Sequence, residues 1–372
     1  MIPYGKQTIT LSDIDAVVEV MKSDYLTTGP KIPEFEHALC DYIGCKHAVV
    51  VNSGTSALDI AIKSCLFPKG SEIITTPFTF VATTNAILGN KLIPIFVDIE
   101  PDTLNIDPIE VRNNITDKTV AILCVDYAGQ PCNLKALREI ADKYGLILIE
   151  DAAHAIGAEY DGMKVGNIAD LTTFSFHPVK NITTGEGGAI TTNSIYLKER
   201  ILQLRNVGMD KTQVDKFGEN LPWEYDVKFL SGNYRMTDIQ AALGISQLKK
   251  LDSFIKKRTE LAIMYDILLE NNKNVIISYS SLGHAWHLYT IYVKGIDRDK
   301  FFNYMRLKGV GVNLHYIPVY RHSYYANRFK IDPMTFKHTE NAFKNLITLP
   351  LYPTLKPDEQ KYICDTINNY VE

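Results

Sequence analysis

Ser175-Phe176-His177-Pro178-Val179-Lys180-Asn181-Ile182-Thr183-Thr184-Gly185-Glu186-Gly187-Gly188 sets a lysine between an apolar segment and a glycine-rich turn. An amine in that setting is desolvated, gives up its proton more readily, and can attack an aldehyde. Upstream, Leu146-Ile147-Leu148-Ile149-Glu150-Asp151 reads as a buried strand that ends on a carboxylate. A lysine by itself is a solvated surface charge. The strand-end aspartate is what separates Lys180 from that reading.

A carboxylate at the carboxyl end of a buried strand is the partner a pyridinium nitrogen requires. Asp151 followed by a Ser-x-His-x-x-Lys turn therefore points to pyridoxal phosphate (PLP) held through Lys180. The phosphate has a candidate cradle in Asn52-Ser53-Gly54-Thr55-Ser56, between a strand and a helix. There, free backbone N–H groups at a helix N-terminus favour an anion. Gly54 permits close approach and Ser53 and Thr55 add hydroxyls. Taken singly, the same stretch is an ordinary helix cap.

Working outward, short apolar strands alternate with helical patterns from about residue 47 to 192. Strands are expected at 46–51, 72–75, 92–97, 120–125 and 146–151, with helices at 56–65, from 79 towards 88, and at 134–144. Continuous apolar strands separated by helices imply a mostly parallel sheet covered on both faces. An Asp161-Gly162 turn marks a hairpin, and 189–192 closes the sheet region. From Met236, apolar positions recur at helical spacing to Leu268, a long helix or helix pair. Strands at 286–293 and 311–315 and helices near 300–307 and 357–367 complete a smaller α+β unit. The expected division is a large domain over 1–245 and a small one over 246–372. Residues 209–233 read as a long loop, which inside a compact domain is more often functional than idle.

Hydrophobic residues at 46%, charged residues at 22% and a net charge of −4 describe an ordinary globular protein with no electrostatic footprint for nucleic acid. No apolar run is long enough for a membrane span, and Met1-Ile2-Pro3-Tyr4-Gly5 has no leader character, so a cytoplasmic location is expected. The six cysteines form no Cys-x-x-Cys and read as reduced thiols; no metal is expected.

Four segments occur in order at consistent spacing: 52–57, 76–83, 150–155 and 175–188. Any one is weak; together they make the chain resemble the DegT/DnrJ/EryC1/StrS sugar-nucleotide aminotransferases, from Tyr4 to about Thr354. The resemblance implies PLP-dependent transferase fold type I and a PLP cofactor with pyridoxamine phosphate as its aminated form. It places Phe80 on the cofactor ring, His154 at its phenolic oxygen and Ser175 at its phosphate. Asn233 is placed at the phosphate of a partner subunit, which implies an obligate homodimer with shared active sites. Tyr4, Asp24-Tyr25-Leu26-Thr27 and His315-Tyr316 are implied in the sugar-nucleotide pocket, and Arg205 and Arg235 are candidates either for anionic groups or for structural ion pairs.

Within the family, His177 to Thr184 and His315-Tyr316-x-Pro318 most resemble the branch that aminates C4 of a UDP-linked 4-keto-6-deoxy-N-acetyl hexose in pseudaminic acid synthesis. The implied amino donor is L-glutamate. Amination of another dTDP- or GDP-linked 4-ketohexose is the alternative. The family's dehydratase branch carries histidine where Lys180 stands, and a non-catalytic sensor would not need the full set. A nicotinamide-dependent dehydrogenase is disfavoured because no Gly-x-Gly-x-x-Gly follows the first strand.

Overall fold

The computed structural model describes residues 1–210, 223–278, 280–281 and 283–371. Of the expected loop over 209–233, residues 211–222 lie outside the described residues.

The apolar runs form one seven-stranded sheet. Its strands are β1 His47–Val51, β2 Glu72–Thr75, β3 Ile93–Phe96, β4 Thr119–Val125 and β5 Ile147–Asp151, then, after the hairpin β6 Glu159–Tyr160 and β7 Met163–Lys164, β8 Leu171–Ser175 and β9 Gly188–Thr192. The spatial order is β1-β9-β8-β5-β4-β2-β3. Neighbours from β8 to β3 run parallel, while β9 runs against both β1 and β8. All strands but β9 therefore present their carboxyl ends to one edge. Pro94 is tolerated because β3 is an edge strand, where a missing N–H breaks no ladder.

The pleat sorts each strand between two cores. Ile73, Leu123 and Ile149 pack under the helix Gly54–Ser64, while Ile74, Ile122 and Leu148 pack under the helix Leu134–Tyr144. The second helix buries Leu134, Leu137 and Ala141 along one face; the Asn133 side chain caps its start and Gly145, at φ +65°, ends it. Asp151 follows the parity of Ile149 and Glu150 that of Leu148, so the two acids leave β5 on opposite faces.

The expected long helix is a pair, Asp238–Leu248 and Leu251–Leu269, and residue 245 lies within the first. Between them and the sheet, β10 Met209–Asp210 pairs with β11 Asp226–Val227. A second antiparallel sheet follows: β12 Val275–Ile277, β13 Tyr289–Val293 and β14 Leu346–Leu349. Its core joins Tyr265, Ile291, Phe301, Ile347 and Ile363. The strand expected at 311–315 is not formed. Instead Gly311 N–H donates to the Ile2 carbonyl at 2.7 Å, and two residues on Asn313 bridges Thr348. The segment changes partner too quickly to run as a strand, and in doing so it ties residues 2–4 to the C-terminal sheet.

Gly188 sits where β9 passes between the ends of β1 and β8. A Cβ there would lie 2.6 Å from the Ser53 carbonyl oxygen and 2.7 Å from that of Phe174. Both obstacles are backbone, so neither can swing away. Gly188→Ala should lower unfolding free energy by about 1–3 kcal/mol, read from the urea midpoint; an unchanged midpoint would refute this packing.

Candidate active site

The loops after β1, β2, β5 and β8 open onto one cavity of about 470 Å³ at the carboxyl edge of the sheet. Edges of parallel sheets are where α/β folds bind ligands, because strand ends and helix N-termini converge there. Of the residues expected from the sequence, Ser53, Gly54, Thr55, Phe80, Asp151, His154, Ser175, Lys180, Tyr4, His315 and Tyr316 all line this cavity.

Lys180 is held by its own turn. Its N–H donates to the His177 carbonyl at 2.9 Å, Thr184 N–H and the Thr183 hydroxyl both reach the Phe176 carbonyl, and Gly185 takes φ +82° to reverse the chain. Burial pushes the Lys180 amine down to about 8, with the charge of Asp151 acting against that shift. Asp151, 4% exposed, is pushed up by the same desolvation. Three groups oppose it: the Thr83 hydroxyl donating at 2.8 Å, the Ala153 N–H at 3.2 Å, and the Lys180 charge. Thr83 is oriented in turn by Thr79, 2.9 Å away. The result is an amine and a carboxyl group lining one cavity, with hydrogen bonds that favour the ionised form of the acid against the effect of burial.

On the other side lies the helix Gly54–Ser64. Ser53 caps it, its hydroxyl accepting from Ser56 N–H at 3.1 Å, while Ala57 N–H returns to the Ser53 carbonyl. The N–H groups of Gly54 and Thr55 have no acceptor within the helix. A Cβ on Gly54 would stand 2.8 Å from Ser175 Cβ, so any other residue would fill the space between cap and β8. A helix start with free N–H groups, a buried acid, an amine and the half-exposed Phe80 ring, all lining one cavity, fit the phosphate, pyridine nitrogen, aldehyde and ring face of PLP.

Histidines and tyrosines form the remaining wall. His154 Nδ1 accepts the Ala128 N–H at 3.2 Å, which places its ring proton on Nε2, 2.9 Å from the Tyr316 hydroxyl. That hydroxyl keeps its own proton to donate elsewhere. Burial first, then the charge of Lys180, holds His154 and His315 neutral, His315 at about 3. His315 is fixed by Thr348, 2.8 Å from Nδ1, and its ring lies 5.4 Å from that of Tyr4.

The remaining expected residues lie elsewhere. Asn233 is exposed; its carbonyl accepts from the Asn52 side chain at 3.3 Å, next to the Ser53 cap. Tyr25 and Leu26 are exposed, the Leu26 carbonyl accepts from Asp238 N–H, and Thr27 bridges Thr237, so Asp24 to Thr27 do not line the cavity. Arg205 is taken by Glu36 at 2.6 Å and Arg235 by Asn206. Sequence reasoning missed Thr83, Asn313, His287 and Glu186, all of which line the cavity. Thr83 had a signal in its Thr79-x-x-x-Thr83 helical spacing, which puts the two hydroxyls together.

Comparison with known proteins agrees with this geometry. The DegT/DnrJ/EryC1/StrS aminotransferase family model matches residues 7–368. A Campylobacter jejuni protein named UDP-4-amino-4,6-dideoxy-N-acetyl-beta-L-altrosamine transaminase is 38% identical, over all of this chain and 98% of its own. The structure of Helicobacter pylori PseC, an aminotransferase of pseudaminic acid biosynthesis, superposes with a TM-score of 0.93 at 34% identity, covering 98% of each chain. A Streptococcus pneumoniae sugar aminotransferase solved in its PLP-form gives a TM-score of 0.91 at 30% identity, covering 99% of this chain and 97% of that one. The chain belongs to the DegT/DnrJ/EryC1/StrS family and is a PLP-dependent sugar aminotransferase of α/β fold type I.

Proposed function

We propose that the protein moves an amino group from L-glutamate to C4 of a UDP-linked 4-keto-6-deoxy-N-acetyl hexose, as part of pseudaminic acid synthesis. The observation that carries the chemistry is that Lys180, Asp151 and the Ser53-capped start of a helix line one cavity, with the charges of Lys180 and Asp151 acting on each other. The substrate assignment draws on the named activity of the Campylobacter relative, together with the His177–Thr184 and His315–Pro318 runs.

When bound, PLP supplies an aldehyde that takes up an amine and a ring that withdraws electrons from the adjacent carbon. Ser53, Thr55, Ser175 and the N–H groups of Gly54 and Thr55 hold its phosphate. Phe80 covers one ring face. Asp151 holds a negative charge against the ring nitrogen, with Thr83 and Ala153 keeping that carboxylate ionised. Tyr316, oriented by His154, donates its hydroxyl proton towards the phenolic oxygen. Lys180 Nζ, lowered to about 8, is available as a base near neutral pH. It takes a proton from the donor's α-carbon and delivers one to sugar C4, so the side it occupies sets the configuration there. Tyr4, His315 and Tyr316 line the sugar's place, their polar tips meeting hydroxyls and their rings covering apolar surface.

Asn233 and the segment Asp24–Thr27 serve the cavity of a second copy in an obligate dimer with shared sites. Their exposure in the single chain and their absence from the lining of its own cavity support this reading.

Thr83→Val removes the strongest donor to Asp151, so the carboxyl should gain a proton more readily. PLP retention should weaken by roughly 10-fold and the acid limb of activity should move to higher pH; an unmoved limb would exclude the hydroxyl from this role. With glutamate, the UDP-linked L-arabino 4-keto-6-deoxy-acetamido sugar should give aminated product, and Lys180→Ala should give none. Amination only of dTDP- or GDP-linked ketohexoses would remove the substrate assignment and leave the transaminase standing. Mixing inactive Lys180→Ala with Asn233→Ala should regenerate activity at up to roughly a quarter of sites. No recovery on subunit exchange would mean that each cavity is built from one chain.

A further inference from the structure

Two buried carboxyl groups behind Asp151 take no part in the reaction described above. Glu150 precedes Asp151 in β5 and so faces the opposite side of the sheet, fully buried. Asp126 stands one residue beyond β4, is equally buried, and its N–H donates to the Asp151 carbonyl at 3.1 Å. Each acid has one oxygen satisfied: Asp126 Oδ1 accepts the Cys132 N–H at 2.9 Å and Glu150 Oε2 accepts the Thr172 hydroxyl at 2.7 Å. The other two oxygens, Asp126 Oδ2 and Glu150 Oε1, have no hydrogen-bond partner among the described residues. Asp126 stands two positions beyond Cys124, the register partner of Glu150 on the adjacent strand, so the two acids share one face of the sheet. Carboxylates are acceptors only, so two of them side by side in a buried place without a donor call for a proton.

We propose that Asp126 and Glu150 hold one proton between them, Asp126 as donor and Glu150 as the ion, and that this pair positions Asp151 electrostatically by fixing the charge behind it at a single negative unit. Glu150, which accepts the Thr172 hydroxyl, takes the charge, and Asp126, raised the further of the two by burial and by that charge, keeps the proton. The titratable groups acting most strongly on the pair are the Cys124 and Cys132 thiols, both pushed up and therefore neutral, and Asp151. None of these is a cation, so a second ionised carboxyl would be buried without a counter-ion. Burial raises both acids, and the charge of Glu150 raises Asp126 further. A fully ionised pair would crowd Asp151 with negative charge and drive it towards its neutral form.

Infrared spectroscopy of the full chain without PLP at neutral pH tests the shared proton. A protonated-carboxyl band should be present, shift in heavy water, persist in Asp151→Asn and vanish in Asp126→Asn, whose amide keeps the donor without the titration. No band in the wild type, or a band that survives in Asp126→Asn, overturns the proposal. This arm is independent of the function proposed above. A second arm rests on that reading, with Asp151 at the cofactor nitrogen, and follows the acid midpoint of PLP binding by its visible absorption. Asp126→Asn preserves one negative charge and should leave the midpoint in place. The double variant Asp126→Asn/Glu150→Gln removes that charge and should lower the midpoint by on the order of one pH unit. A shift in the single variant about half that of the double would mean that both acids are ionised in the wild type, an equal shift would mean that Asp126 carries the charge, and no shift in the double would mean that their charge does not reach Asp151; each result overturns the proposal.

Discussion

An amine and a carboxylate withdrawn from water at the same edge of a sheet are the constraint around which this protein is arranged. Alone, each would be driven towards its neutral form by burial, Lys180 by losing a proton and Asp151 by gaining one. Lining one cavity, their charges partly cancel that tendency, and Thr83 and Ala153 supply donors that favour the ionised form of Asp151. The lysine is left near 8, low enough to act as a base and high enough to be recharged. The fold serves that balance. Parallel strands bring β5 and β8 side by side, and the reversal at β9 returns the glycine-rich turn under the helix cap that follows β1.

Much of this was legible in the chain because the signals were local. The run Leu146–Asp151 announces a strand buried on both faces and its terminal acid in a single stretch, and Gly185-Glu186-Gly187-Gly188 announces the turn that must follow Lys180. The cap Ser53-Gly54-Thr55 is readable because a helix start and an anion site require the same groups. The pleat even assigns Glu150 and Asp151 to opposite faces without coordinates.

What was not legible depends on distance along the chain. Thr83 and Asp151 are 68 positions apart, and nothing at either position names the other. The donor to His154 is a backbone group, the N–H of Ala128, which sits at φ +59° and leaves no trace in side-chain pattern. Gly311 looked like strand because its neighbours are apolar, yet the space beside it belongs to Ile2, more than three hundred residues earlier. The Asp126 and Glu150 pair was hidden for the same reason: two acids on neighbouring strands become one titrating unit only when the register between β4 and β5 is known.

The claim on which the account rests is that one particular amine meets the cofactor aldehyde. Borohydride reduction of the PLP-loaded protein, followed by proteolysis and mass mapping, fixes any carbon–nitrogen link in place. The account predicts a single pyridoxyl group on the peptide that contains Lys180. A label on any other lysine, or none after reduction of a protein that has taken up the cofactor, would contradict it.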